Sequence, residues 1–185
     1  YGSTIIDNGT ILIEGEKISG ISAKPDGFQS KVHISAQDKL VLPGAIDSHV
    51  HSLSYPEEGF SNSTMAACRG GVTTIIDMPV DAPSGIATPD ALKKKIEVVE
   101  KESYVDAALL GSVKNDSLEH IYRLKEIGVC GFKLSLFDTD PVRFPKVNDG
   151  NLLEAFSIIA ETGLTAGVHA ENDEIIKRLI EKFIK

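Results

Sequence analysis

From Gly44 onward the chain repeats one pattern: a short β-prone apolar run, then a loop, then an amphipathic helical stretch. This alternation restricts the possible folds more than any other feature. Five runs read as strands: Ala45–His51, Val72–Met78, Val105–Gly111, Gly131–Leu136 and Thr165–Ala170. Between them, Ser63–Arg69 reads as a helix stopped by Gly70-Gly71. A second helix has Thr88 as N-cap, Pro89 at its first position, and Leu92, Ile96 and Val99 on one stripe. A third carries Leu118, Ile121, Leu124 and Ile127 and ends at Gly128. A fourth carries Leu152, Phe156 and Ile159 and ends near Gly163, and a last carries Ile175, Ile176, Leu179 and Phe183. Successive βα units predict an α/β fold with a parallel sheet and right-handed crossovers. Units spaced roughly thirty residues apart fit a partial TIM (β/α)8 barrel, the first five βα units of it. The alternative is an open doubly wound sheet, which five strands would complete, although no GxGxxG phosphate loop follows the first strand.

The first 43 residues have a different character. Ile11-Leu12-Ile13 and Ile18-Ser19-Gly20-Ile21 flank a Gly-containing turn, Val32-His33-Ile34 alternates, and Leu40-Val41-Leu42 forms a third apolar run. The expected organisation is a small β-rich unit over 1–43 and the βα units over 44–185. His33 stands alone and reads as an exposed strand residue rather than a ligand.

Composition narrows the partners. A net charge of -8 over 185 residues argues against a nucleic-acid surface, which needs clustered Lys and Arg, and favours a small-molecule partner. No apolar run approaches the ~20 residues that span a bilayer, and no secretory leader is visible, so no membrane partner and a cytoplasmic location are expected. Cys68 and Cys130 lie far apart and outside any CxxC pair, and read as reduced core thiols.

Loop length separates the two ends of the predicted sheet. Segments after helices are short, whereas Ser52–Asn62, Pro79–Thr88 and Phe137–Asn148, which follow strands, are long. Parallel α/β proteins place their chemistry at that end. His49 and His51 sit there, two apart, and strand alternation points both imidazoles the same way. Such a pair is half of a metal site, or simply two hydrogen-bonded histidines on an edge strand. Lys133, between Phe132 and Leu134, reads as a lysine snorkelling to the end of the sheet, as one paired with a carboxylate such as Asp47 or Asp77, or as a neutral amine able to act as base, nucleophile or, once carboxylated by CO2, ligand. His169 ends the fifth strand at the same depth as His51 and Lys133. In a barrel these residues would converge on one axial point.

With those residues in view, the chain resembles the metal-dependent amidohydrolase superfamily, in particular its cyclic-amide branch of dihydroorotases, hydantoinases and allantoinases. The resemblance runs from about Gly9 onward. It is carried by Leu42-Pro43-Gly44-Ala45-Ile46-Asp47-Ser48-His49-Val50-His51, Gly70–Pro79, Gly131-Phe132-Lys133 and Val168-His169-Ala170-Glu171-Asn172, in order. It implies a hydrolase that opens a cyclic amide through a metal-activated hydroxide, with two divalent ions, zinc foremost. His49 and His51 would bind the more buried ion, a CO2-derived carboxylate on Lys133 would bridge the two, and His169 would bind the second. The branch's sixth-strand histidine and eighth-strand aspartate base have no counterpart here, so the chain reads as a fragment, inactive alone, of a protein expected to be a homo-oligomer. None of Asp138, Asp140, Asp149 and Asp173 is taken as the missing base.

On substrate, dihydroorotases carry an arginine where this chain has Leu53, and hydantoinases and dihydropyrimidinases a tyrosine where it has Asp138. Met78-Pro79, Leu110-Gly111 and Phe144–Gly150 resemble allantoinases, which points to a ureide such as allantoin. Dihydroorotase or hydantoinase/dihydropyrimidinase activity is the alternative. A non-catalytic dihydropyrimidinase-like scaffold and a mononuclear deaminase-like enzyme are the others.

Overall fold

The computed structural model describes residues 5–24 and 29–184, which belong to two units, Tyr1–Pro43 and Gly44–Lys185. In the first, β1 (Thr10–Glu14) and β2 (Lys17–Ser22) pair antiparallel, with Thr10 opposite Ser22 and Glu14 opposite Lys17. The turn between them places Gly15 at φ 61°, the left-handed region open to glycine at little cost. Val32-His33-Ile34 and Leu40-Val41-Leu42, expected as further β-prone runs, lie outside any strand and are exposed. No described strand offers them a ladder, and an apolar run without a partner cannot satisfy its backbone as a strand. His33 is exposed, as expected, but not in a strand.

The second unit contains β3 (Ala45–Val50), α1 (Gly59–Arg69), β4 (Val72–Asp77), α2 (Pro89–Glu102), β5 (Asp106–Ser112), α3 (Ile121–Ile127), β6 (Gly131–Ser135), α4 (Asp149–Thr162), β7 (Thr165–His169) and α5 (Asp173–Phe183). The five strands are parallel and lie in chain order, β3-β4-β5-β6-β7. A doubly wound sheet reverses direction at a switch point, and no reversal occurs here. The architecture is therefore the curled half-barrel of consecutive βα units.

Local chemistry sets the element ends. Thr88 Oγ1 accepts from Ala91 N–H at 3.3 Å, capping α2 with Pro89 at its first position. Gly163, at φ 74°, ends α4 in the left-handed conformation that no β-carbon favours. α1 begins at Gly59, four residues before the expected Ser63, with no side-chain cap to announce it. The earlier start brings Phe60, expected in the loop after the first strand, fully into the interior.

The core lies between the middle strands and their helices. It joins Leu109, Phe132 and Leu134 from the sheet to Leu92 of α2, Ile121 and Leu124 of α3, and Ala155 and Ile159 of α4. Alternation along β6 puts Phe132 and Leu134, both 0% exposed, in this core and turns Lys133 to the other face. The edge strand β3 is exposed over most of its length. Cys68 and Cys130 are free thiols, as expected, but exposed rather than core. Cys68 lies in the last turn of α1 and Cys130 immediately precedes β6, both at the N-terminal end of the sheet. Among the described residues no helix is long and apolar enough to cross a membrane.

Candidate functional site

Strand ends position the residues of interest. His49 lies in β3, His51 one residue past it, Lys133 mid-way along β6 and His169 at the last position of β7. All four line one cavity of about 190 Å³, together with Met78, Val80, Thr139 and Phe144 from the loops above. The parallel register carries them there: Lys133 pairs with Gly167, and Ser135 with His169.

His49 and His51 face the same way, as alternation requires. Their Nε2 atoms are 3.3 Å apart and their ring centroids 5.3 Å. The His51 tautomer follows from its neighbours. Ser54 Oγ donates to the Val80 carbonyl at 3.2 Å, so it accepts from His51 Nδ1–H at 3.0 Å. That assignment leaves His51 Nε2 unprotonated, an acceptor in the cavity facing His49 Nε2. Burial, and secondarily the adjacent His49, lowers the His51 pKa below its ordinary 6.5 and favours the neutral ring.

The Lys133 amine has no hydrogen-bond or ion-pair partner among the described residues, while its carbonyl accepts from Val113 N–H at 2.9 Å. Asp77, one of its two expected partners, is held by Lys95 of α2, and Asp47 Oδ1 instead accepts from His49 N–H at 3.1 Å. Its aliphatic stem lies over Gly167, where an added β-carbon would be 3.2 Å from Lys133 Cδ and 3.8 Å from Nζ. Gly167 thus leaves the space that the lysine occupies. His169 Nε2 lies 3.1 Å from Glu171 Oε2, and Phe144 meets its ring edge-on at 6.3 Å.

Among the described residues no three of His, Cys, Asp and Glu cluster closely enough to hold a metal. Asp138, Asp140 and Asp173 are engaged structurally: Asp138 accepts from Lys146 N–H at 2.8 Å, Asp140 bonds Arg143, and Asp173 pairs with Lys177 at 2.8 Å.

The loops that frame the cavity are tied together. Asp140 accepts from the backbone of Val142 and Arg143 and from Arg143 Nε, and these bonds hold its carboxyl at about 2. Arg143 then donates to the Ser54 carbonyl at 2.7 Å, fastening the loop after β6 to the loop after β3.

Residues 40–185 match the model of the amidohydrolase family. The chain belongs to the amidohydrolase family. It is 35% identical over 184 residues to an L-hydantoinase of Paenarthrobacter aurescens, covering 97% of this chain and 40% of that protein. It is 34% identical to an allantoinase of Solibacter usitatus, covering 93% and 38%. Among solved structures, L-hydantoinase (dihydropyrimidinase) from Arthrobacter aurescens superposes with a TM-score of 0.87 at 35% identity, over 93% of this chain and 39% of that one. D-hydantoinase from Bacillus sp. AR9 superposes with 0.76 at 25% identity, over 93% and 38%. The chain therefore spans about two-fifths of the length of these relatives.

Sequence reasoning missed Lys95, which is buried beneath the site. Its spacing was the available signal: Lys95 lies three after Leu92 and four before Val99, on the stripe that α2 turns inward.

Proposed function

We propose that this chain supplies the histidine-rich half of the active site of a metal-dependent cyclic amidohydrolase, acting on the hydantoin-type ring that hydantoin and allantoin share. The observation that carries this reading is the cavity in which His49 and His51 bring their Nε2 atoms together with a Lys133 amine that is unpaired among the described residues. His49 and His51 would hold one ion, His169 the second, and Lys133 both. The donor set fits: two imidazole nitrogens facing each other, and an amine with no other partner among the described residues, in a slot kept open by Gly167. Bound there, two divalent ions, zinc first among them, would supply Lewis acidity for water activation and carbonyl polarisation.

The chain's own residues do the rest. Ser54 fixes the His51 tautomer by accepting its Nδ1–H, so the ring presents a lone pair and no proton to the cavity. The Lys133 ammonium would first give up one proton to solvent, and the neutral amine would then add CO2 at Nζ and release a second, turning a cation into an anionic two-oxygen donor. Met78, Val80 and Phe144 give the cavity an apolar wall suited to a small flat ring. Relatives named hydantoinase and allantoinase support this substrate class, and Leu53 offers no charge for the carboxylate of a dihydroorotate.

The test is metal content and ring opening in the protein at its natural length, with hydantoin, allantoin, dihydrouracil and dihydroorotate as substrates. Two equivalents of metal per subunit are expected, with both metal and activity lost in Lys133→Ala. Wild-type protein without metal or hydrolysis would indicate a scaffold, and retained metal and activity in Lys133→Ala would remove the lysine from the centre.

A further inference from the structure

Three charged side chains are sealed beneath the cavity without lining it. Lys95 of α2 is 2% exposed, Asp77 at the end of β4 is 0% exposed, and Asp81 in the following loop is 5% exposed. Lys95 Nζ donates to Asp81 Oδ1 at 2.9 Å and to the Met78 carbonyl at 3.1 Å, and it lies 2.5 Å from Asp77 Oδ2. Desolvating three charges is expensive, and an apolar cluster would dock a helix on a sheet without that cost. What the charges add is direction, because the contacts fix the end of β4 and the loop after it, which shares the cavity with the histidines.

Two arms run from Lys95 to His51. Along the first, Asp77 Oδ1 accepts from the N–H of Ser52, the residue directly after His51, at 2.9 Å. Along the second, Lys95 holds Met78 and Asp81 on either side of Val80. The Val80 carbonyl accepts from Ser54 Oγ, which in turn accepts from His51 Nδ1. The first arm ends on the backbone beside His51 and the second on its imidazole.

We propose that Lys95 is a positioning residue for the histidine pair: through Asp77 and the Asp81 loop it fixes the backbone and the tautomer of His51, so that Nε2 faces the cavity as an acceptor. Lys95 makes no hydrogen bond to either histidine and does not line the cavity, and it positions His51 through these neighbours. The inference rests on the metal-centre reading above, and its consequence is visible before any metal is added.

The experiment compares wild-type protein with Lys95→Met, both metal-free and 15N-labelled in histidine, by long-range proton–nitrogen NMR, followed by zinc titration against a chromophoric chelator. Wild type should show His51 protonated at Nδ1 alone. Lys95→Met should populate the Nε2–H tautomer and bind zinc at least tenfold more weakly. A folded Lys95→Met protein with the wild-type His51 spectrum and zinc affinity overturns the proposal and leaves Lys95 a helix-docking role only. Should Lys95→Met fail to fold, Lys95→Met/Asp77→Asn/Asp81→Asn removes the stranded carboxylates. It should show the same tautomer shift, and an unchanged spectrum there is equally decisive against the proposal. Wild-type protein that binds no zinc would instead count against the metal-centre reading, leaving the metal-free comparison to decide the role of Lys95.

Discussion

Gly167→Ala separates the function of the slot beside Lys133 from the stability of the strand that forms it. Glycine inside a strand costs about 0.5–1 kcal/mol relative to alanine, so the new methyl group begins with a gain. The φ of Gly167 lies outside the left-handed region, so no backbone strain offsets that gain. The new β-carbon would stand 3.2 Å from Lys133 Cδ, a contact relieved by a few tenths of an ångström. The atom that has to move belongs to a flexible, half-buried side chain, so the overpacking cost falls below the about 1–3 kcal/mol of a rigid core. The balance leaves stability within about 1 kcal/mol of wild type, or about 2–4 °C in Tm for a chain of this size. Metal geometry is less forgiving, with bond lengths tolerating only about 0.2 Å. A displaced Nζ should lower metal affinity about 10–100-fold, the effect of disturbing a ligand's supporting shell. Calorimetric melting and competitive metal titration on the same preparation measure the two quantities. Unchanged metal affinity at unchanged Tm would refute the role assigned to the slot, and a fall of several kcal/mol in stability would refute the claim that Lys133 yields in place of the backbone.

Two further predictions concern the frame around the cavity. The Asp140 carboxyl falls from 3.8 to about 2 on folding, mainly through its bonds from Arg143, so it stabilises the fold above the ordinary aspartate range. That contribution should fade as pH drops from near 4 toward 2, and Asp140→Asn should flatten this part of a Tm–pH profile; an unchanged profile would contradict the assignment. Thr88→Ala should cost about 1 kcal/mol in urea unfolding by freeing the Ala91 N–H, while Thr88→Asp or Thr88→Ser should be close to neutral.

The parts of the fold legible in the sequence are those governed by neighbours along the chain. Thr88-Pro89 opens a helix, Gly128 and Gly163 close helices, and His49 and His51 share a face, all through interactions spanning a few residues. Chain-order pairing of the strands was legible only as one of two outcomes, because both candidate sheets use the same βα unit. What escaped was set by distant residues. Asp77 stood as a partner for Lys133 until Lys95, eighteen positions on in the sequence and presented by α2, proved to hold it. Phe60 read as a loop residue because nothing local marks the start of α1, whose first turn is fixed by burial of that ring. The cysteines read as core because apolar composition cannot distinguish the middle of a strand or helix from its rim.

Strand order also has a consequence in time. Each βα unit pairs only with the units immediately before and after it, so a chain emerging from the ribosome can dock every new unit on one already formed. The two histidines are made with the first unit, their lysine neighbour arrives with the fourth, and the wall carrying His169 arrives with the fifth. During synthesis the side of the cavity carrying His169 forms only with the fifth unit, and until the fourth is made His49 and His51 have no lysine opposite them.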